Sequence, residues 1–455
     1  MKRTLSFILS MVMALSLLAG CGGQSAAPAS GTPSAAPAAP AGDAQKPAGN
    51  TPVELTFFYP VGVGGPLATL IENLAAEFTK ENPDIKLNPV FAGNSVETMT
   101  KTVSAVQGGT PPDFAILGNS ELYSLVNMDA IMPLDDLIKA DGGDEYIKDF
   151  LPAFMKNSYY DGKVWSIPYQ RSTIIMYYNK DHFKEVGLDP ENPPKNWEEL
   201  RAAAAKLTKR DASGNVTRWG VMIPMDDPFM FSAFALQNSE NGENLMTEDG
   251  KKAIFDTAGN AESLQFLIDL AKKDKVMPEG SIKWADGPAN FMEGTASITY
   301  TSTGSLTNIL NNSKFEVGTC FLPAGKRYGS PTGGANIYIF KDTPPENQAA
   351  AWKFIRWITE PQRTAQWNID TGYVATRSSA FETPLLKDYY NTVPQAKTGG
   401  DQLPHAGSEL MLYDNQRNWQ ALKVAIDAAL TGAKTPQQAM ADAQAEADAI
   451  LAKYQ

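Results

Sequence analysis

The sequence offers few side chains for metal or nucleophilic chemistry. Its 455 residues include only two histidines, His182 and His405, and two cysteines, Cys21 and Cys320. A His-based catalytic triad or a Cys/His zinc site therefore has little material to work with. The acidic residues lack the spacing of an EF-hand loop. We therefore expect no metal and no other cofactor.

Asp226 and Asp227 form the acidic pair that comes nearest to catalytic machinery. A glycoside hydrolase needs two opposed carboxyl groups, at least one with a raised pKa. No partner for this pair is evident, so we expect a binding protein and no enzyme. Two roles stay open for Asp227, an acceptor for ligand hydroxyl groups or a helix N-cap. Phe229 would stack on a sugar ring or belong to the core.

Composition indicates a globular, acidic protein. Apolar residues make up 43% of the chain, and 39 basic residues against 51 acidic ones give a net charge of −12 at pH 7. Phosphate neutralisation needs a basic face, so we expect no nucleic-acid partner.

The N-terminus has the pattern of an export signal. Lys2 and Arg3 precede a mostly apolar stretch over 5–17, and Leu-Ala-Gly-Cys follows at 18–21. This pattern resembles a bacterial lipobox and implies a signal peptide over 1–20 and a lipidated Cys21; an ordinary signal peptide with an incidental cysteine is the alternative. Residues 21–52 would be the lipidated cysteine plus a flexible Ala/Pro/Gly/Ser linker. The protein would then lie on the outer face of the cell membrane.

Strand and helix patterns alternate from residue 53 onward. Strands are predicted over 54–59, 85–91 and 114–117, with helices from Leu67 and from Val96 between them. This alternation indicates an α/β fold with a parallel sheet. Further strands are predicted over 166–179, 219–224, 296–301 and 337–340, and helices over 261–273, 345–358 and from 419 onward.

Several motifs jointly resemble the extracellular solute-binding proteins of ABC importers. The most specific is IPYQRSTIIMYYNKD over 167–181, followed by PPKNWEEL over 193–200. Shorter matches support it: EFTKENPDI (77–85), GGTPPD (108–113), FMEGTA (291–296), STGSL (302–306), GGA (333–335), TGY (371–373) and GAKTPQQ (432–438).

The resemblance implies a fold and a function. The fold would be the two-lobed type II periplasmic-binding-protein fold with ligand in the cleft; lobe one would span 53–168 and 305–358, and lobe two 169–304 and 359–455. The protein would be a monomer that captures a mono- or oligosaccharide by lobe closure and delivers it to the transmembrane subunits of an ABC importer. A glycerol-3-phosphate or glycerophosphodiester binding protein is the main alternative, and a ligand-presenting sensor lipoprotein is another.

The resemblance also implies candidate ligand contacts. Relative to the glycerophosphate binders, Ser95 and Asn119 replace a tyrosine and an acidic residue. The arginine that contacts phosphate falls near Met411 and is missing, and Arg417 would replace it only after a local shift. Four contact positions are retained: Ser172, Ser302, Gly334 and Tyr373.

Position in the chain adds three further candidates. Tyr59 ends the first strand, at the edge where such sheets bind ligands, although a core or surface aromatic is equally open. Tyr169 and Arg171 lie beside Ser172 in the first crossing between the lobes. Arg171 is the best available cation for a phosphate or carboxylate, and an ion pair between the lobes is its alternative role.

Overall fold

The computed structural model describes residues 52–242 and 244–455, so the predicted signal peptide, the lipidation at Cys21 and nearly all of the linker lie outside the described residues. The strands are β1 Val53–Tyr59, β2 Ile85–Phe91, β3 Phe114–Gly118, β4 Tyr159–Tyr160, β5 Lys163–Val164, β6 Ile167–Asn179, β7 Lys209–Arg210, β8 Val216–Arg218, β9 Ile298–Ser302, β10 Val317–Cys320, β11 Ser330–Ile339 and β12 Ala406–Ser408.

The helices lie between and after these strands: α1 Leu67–Glu81, α2 Ser95–Gln107, α3 Leu122–Asn127, α4 Asp135–Ala140, α5 Gly143–Lys148, α6 Pro152–Met155, α7 Lys180–Glu185, α8 Trp197–Leu207, α9 Pro228–Asn238, α10 Ala258–Ile268, α11 Asp286–Met292, α12 Leu306–Asn312, α13 Pro345–Ile358, α14 Pro361–Thr371, α15 Pro384–Thr392, α16 Lys397–Gln402, α17 Asn415–Thr431 and α18 Pro436–Leu451. No helix of the described chain is long and apolar enough to cross a membrane.

One mixed sheet forms the frame of the molecule. Its strands run in the order β10-β6-β11-β3-β1-β2, with β9 beside β6 and β12 beside β11. β1 pairs in parallel with β2 and β3, as the alternating pattern predicts. β11 is antiparallel to both β3 and β6. The return of the chain through β6 and β11 therefore joins the first three strands to the later part of the chain.

The sequence prediction fails in one strand. The stretch predicted over 219–224 makes only isolated bridges, Trp219 to Ala296 and Met222 to Thr299. Gly220 explains the interruption, because a Cβ there would lie 2.0 Å from the Ala204 carbonyl oxygen of α8. The segment is held against a helix as well as against β9, and it cannot run as a regular strand.

The sheet is buried on both faces. Along β3, Phe114 and Ile116 pack in one apolar cluster and Ala115 and Leu117 in another, because successive side chains of a strand point to opposite faces. The first cluster also holds Trp367, which lies in the segment predicted for lobe two. The predicted lobe boundaries stay a prediction, but the 359–455 segment packs against both apolar clusters.

Candidate functional site

Three strands bring several predicted contact residues together. In β11, Gly334 lies opposite Arg171 of β6, and Ala335 lies opposite Gly118 at the end of β3. A short 3-10 turn, Asn119–Glu121, follows Gly118 directly. Asn119, Arg171 and Gly334 therefore meet where β3, β6 and β11 lie side by side.

The Arg171 guanidinium is fully buried and bonded to neutral acceptors. Nε donates to the Gly333 carbonyl at 3.0 Å, and the two terminal nitrogens share four further bonds. A guanidinium has five N–H donors, so none is left for an anion. Burial lowers its pKa to about 10. Within the described residues Arg171 forms no ion pair, and its hydrogen bonds tie β6 to β11. Its contact with a ligand stays a prediction.

Asn119 is fully buried without hydrogen bonds of ordinary geometry. Its amide approaches the Glu409 carboxyl group closely enough to lower the pKa of Glu409 by a side-chain hydrogen bond, although this contact falls outside ordinary hydrogen-bond geometry. Its oxygen Oδ1 has no donor within the described chain. Oε2 of Glu121 is buried and unpartnered in the same way. An unpaired buried polar group costs about 1–3 kcal/mol. Side chains kept in this state are suited to a ligand that supplies the missing partners.

Asp227 is the N-cap of α9, as one of its two predicted roles requires. Its Oδ1 accepts a hydrogen bond from the Phe229 backbone nitrogen at 2.8 Å. Burial raises the pKa of Asp227 to about 6, and the neighbouring Asp226 raises it further. Oδ1 of Asp226 is buried without a partner in the described residues. The cap therefore holds Asp227 in place and leaves the second oxygen of its carboxyl group for another contact.

Glu409 completes the site, and the sequence prediction missed it. It follows β12, which pairs with Ser330–Thr332 of β11. Burial raises its pKa to about 8; Asp227 adds to the rise, and Arg171 opposes it. Glu121 also contributes to this rise, so Glu121 and Asp227 each lie within electrostatic reach of Glu409. We call Glu121, Asp227 and Glu409 the carboxyl cluster.

Phe229 and Trp284 form an aromatic pair beside the carboxyl cluster, called the aromatic surface. Phe229 is buried in an apolar cluster of the core, as one of its two predicted roles requires, and Trp284 packs against that cluster. The Phe229 ring covers Gly333, where an added Cβ would lie 2.4 Å from the ring. Trp284, half-buried, lies 5.9 Å from Phe229 between ring centroids. Sequence reasoning missed Trp284, which lies outside any regular element in a stretch without apolar periodicity. Two rings beside polar side chains suit a ligand with an apolar face and a polar rim.

Tyr169, Trp367 and Tyr373 form a second aromatic group. Trp367 lies 5.1 Å from Tyr169 and 6.2 Å from Tyr373 between ring centroids. The Tyr373 ring covers Gly304, in the turn that Ser302 caps by accepting a hydrogen bond from the Gly304 nitrogen. The Tyr169 hydroxyl is buried without a partner in the described chain. This group lies next to β6, because the Val374 nitrogen donates to the Arg171 carbonyl.

The remaining predicted contacts lie in different settings. Tyr59 is buried at the end of β1, and its hydroxyl donates to Glu72 Oε1 at 3.0 Å. Ser95 is exposed at the start of α2. Ser172 is buried in β6 opposite Gly333. Their contact with a ligand stays a prediction, and Tyr59 already has a protein partner.

Arg417 lies away from the carboxyl cluster. Its side chain is 60% exposed and approaches Asp414 at 3.4 Å. It lines a surface groove between α17 and α18. Met411, where the resemblance places the missing arginine, is buried. Neither residue 411 nor Arg417 therefore supplies the phosphate-contacting arginine that the resemblance implies.

The carboxyl cluster predicts a pH effect on stability. Its pKa values of about 6, 7 and 8 lie above those of the unfolded chain, so its stabilising contribution is complete below pH 4 and is lost as pH rises through 8. His182, with a pKa lowered to about 4, acts oppositely only below pH 6.5. We expect the unliganded protein to lose stability between pH 6.5 and 8.

Urea unfolding at a series of pH values measures this effect. Glu409→Gln should flatten the decline, because glutamine does not titrate. Glu346→Gln is the matched control, since Glu346 is exposed at the start of α13. A decline equally steep in both variants would show that Glu409 is not its source.

Comparison of the sequence with known protein families finds a match. A profile described as "Bacterial extracellular solute-binding protein" matches residues 73–394. The sn-glycerol-3-phosphate-binding periplasmic protein UgpB of Escherichia coli (strain K12) is 27% identical over 425 residues, covering 90% of this chain and 95% of the relative.

Solved structures share the fold. UgpB from Mycobacterium tuberculosis in complex with glycerophosphocholine has a TM-score of 0.76 at 22% identity and covers 89% of this chain and 100% of its own. The maltose/maltodextrin-binding domain MalE from Bdellovibrio bacteriovorus, bound to maltotriose, has a TM-score of 0.76 at 21% identity, with coverages of 88% and 100%. The type II periplasmic-binding-protein fold predicted from the sequence is thereby confirmed.

Proposed function

Because the chain belongs to the bacterial extracellular solute-binding proteins, we propose that it captures a mono- or oligosaccharide by lobe closure and delivers it to an ABC importer. One observation carries the choice of ligand: the fully buried Asn119 amide lacks partners of ordinary geometry in the described residues, beside the carboxyl cluster. Sugar hydroxyl groups both donate and accept, so they can bond an amide and carboxyl groups together.

The aromatic surface supports the same ligand class. Phe229 and Trp284 lie against Gly333 and beside Asp226 and Asp227. A pyranose ring has an apolar face that packs on an aromatic ring and a rim of hydroxyl groups that bond planar polar side chains. MalE from Bdellovibrio bacteriovorus, which shares this fold, is a structure with a bound maltotriose.

Glycerol-3-phosphate is the second candidate, because relatives that are 27% identical are sn-glycerol-3-phosphate-binding periplasmic proteins. Ser172, Ser302, Gly334 and Tyr373 are retained, but the electrostatics oppose a phosphate. All five donors of Arg171 are bonded within the protein. A phosphate would face the carboxyl cluster without a free arginine, whereas phosphate sites use charge-assisted donors.

The wider biological role follows from the family. The relatives named above, UgpB and MalE, are binding proteins, so we propose that this protein is a receptor that does no chemistry on its ligand. We further propose that Cys21 is lipidated, that residues 21–52 tether the folded chain to the outer face of the membrane, and that the receptor acts as a monomer. A sensor that presents its ligand to a membrane protein is the alternative.

Titration calorimetry on wild type and Asn119→Ala tests the proposed site. Neutral sugars and glycerol-3-phosphate form the ligand panel. We expect a sugar to bind wild type at least about tenfold, or about 1.4 kcal/mol, more tightly than Asn119→Ala. Without ligand the variant should lose no more than about 1–2 kcal/mol of stability, because the contact of the Asn119 amide with Glu409 falls outside ordinary geometry and the truncation removes only a small buried side chain.

Asn311→Ala is the matched control, since Asn311 is exposed in α12. It should bind as wild type does. Equal sugar affinity in wild type and Asn119→Ala would contradict the site. Binding of glycerol-3-phosphate with no sugar binding would contradict the ligand class, and recovery of a hydrolysed sugar would contradict a pure binding role.

A further inference from the structure

The charges around the candidate site do not balance. The carboxyl cluster and Asp226 supply four acidic groups from three segments: the turn after β3, the loop before α9 and the loop after β12. Arg171 is the buried cation that faces Glu409, and its bonds go to neutral oxygens. With every group ionised, four acids and one guanidinium leave an excess of negative charge.

The nearest other cation is already occupied. Lys423 of α17 faces Asp226 and Asp227, but its ammonium group lies 3.3 Å from Asp427 on the same helix. Tyr338, which also faces the cluster, donates its hydroxyl to the Gly118 carbonyl at 3.3 Å. No group of three or more His, Cys, Asp or Glu side chains in the described residues is arranged to hold a metal ion. An ammonium group needs no such set of converging ligands, because hydrogen bonds to separate acceptors hold it.

An unpartnered side chain marks the place such a group would occupy. The Asn119 amide, fully buried, is next to the Glu409 carboxyl group, and its oxygen has no donor within the described residues. Oε2 of Glu121 and Oδ1 of Asp226 are buried acceptors that also lack one. An ammonium group has three N–H donors and no acceptor, which matches a site with an excess of oxygens.

From this arrangement we propose that the carbohydrate bound here carries a basic nitrogen, as an amino sugar does; this rests on the proposed function. Its ammonium group lies among Asn119, Glu121 and Glu409, and its ring packs beside Phe229 and Trp284. A cation next to an aromatic face gains further attraction. Burial is the main cause of the raised pKa values of Glu121 and Glu409, and a cation placed beside them would lower both.

Titration with matched sugar pairs tests the proposal on the full protein. The pairs are glucosamine and glucose, galactosamine and galactose, mannosamine and mannose, and the chitosan disaccharide and cellobiose. We expect the amino member of at least one pair to bind at least about tenfold more tightly than its neutral partner. Its binding should release protons, seen as a heat that depends on the buffer, because the cation draws the carboxyl groups into their ionised form.

Glu409→Gln separates charge from shape. Glutamine keeps the size of the side chain and removes its charge, so in this variant the ratio of amino-sugar affinity to neutral-sugar affinity should fall to near one, whatever the affinity for the neutral sugar becomes. The control Glu346→Gln should keep the preference. Equal or tighter binding of the neutral member in every pair that binds would overturn the amino-sugar proposal while leaving the proposed function standing.

Two further outcomes complete the test. Binding of glycerol-3-phosphate or glycerophosphocholine without any sugar would overturn the proposed function and the amino-sugar proposal together; glycerophosphocholine alone would assign the positive charge to a choline group. If no member of any pair binds, the amino-sugar proposal is overturned as well.

Discussion

Replacing Arg171 by methionine should lower the free energy of unfolding by about 3–5 kcal/mol, as the loss of several buried hydrogen bonds does. The guanidinium binds five acceptors on both sides of the β6–β11 pairing: oxygens of Gly333, Phe154, Asn336, Asn157 and Thr332. Methionine fills much of the volume but supplies no donor, so these buried oxygens would lose their partner.

Denaturant unfolding of wild type, Arg171→Met and Arg417→Met measures this loss. Arg417 is 60% exposed, so its replacement should change stability by no more than about 0.5 kcal/mol. An unchanged denaturant slope would show that the folded state itself is weakened. If Arg171→Met were as stable as Arg417→Met, the buried network would not hold the crossing together.

Gly334→Ala should be comparably destabilising, by about 4 kcal/mol or enough to prevent folding. Gly334 has φ +103°, a conformation that side-chain-bearing residues rarely adopt. A Cβ at this position would lie 1.8 Å from the Gln170 carbonyl oxygen and 3.2 Å from the Arg171 Cα. The clash is with backbone atoms, so β11 would have to move away from β6.

Gly162→Ala measures the cost of the positive φ angle alone, without a steric clash. Gly162 also has positive φ, at +71°, but no atom lies near its added Cβ. Its replacement should cost about 1–2 kcal/mol, the penalty of the left-handed conformation alone. Thermal and denaturant unfolding of both variants would show the difference. Equal costs at the two positions would contradict the close approach of β6 and β11.

The fold was largely predictable from local patterns. Alternating strand and helix signals gave β1, α1, β2, α2 and β3 in order and in parallel, and the predicted helix over 345–358 coincides with α13. The antiparallel β6 and β11 were not evident from these signals, because strand direction depends on where the chain returns. The interruption at Gly220 depends on its contact with α8, which lies outside any local window.

Some of the predicted contact residues lie together in the structure. Asn119 and Gly334, taken from the resemblance, and Asp227, taken from its position in the chain, lie at the β3–β6–β11 junction or beside it, and their contact with a ligand stays a prediction. Glu121 and Glu409 were missed, because an acidic residue in a polar stretch is typical of a solvated surface. Only the folded chain shows that they are enclosed, which is what raises their pKa. The only contact expected near Glu409 was an arginine at about residue 411, implied by the resemblance, where this chain has Met411.

Arg171 shows the opposite limit of sequence reasoning. Its position beside Ser172 made it the best available cation for a bound anion. Whether its donors are free depends on five acceptors, all of them at least fourteen residues away in sequence and three of them on the facing strand β11. Burial and bonding give Arg171 a positioning role at the junction that its place in the sequence does not reveal, and its contact with a ligand stays a prediction.

A crystal structure of the protein with a bound sugar tests the central claim most directly. We predict electron density for the sugar within hydrogen-bonding distance of the Asn119 amide and the Glu409 carboxyl group, with its ring beside Phe229. Density in the groove between α17 and α18, which Ala421, Val424 and Ile450 line, with none at Asn119, would contradict it.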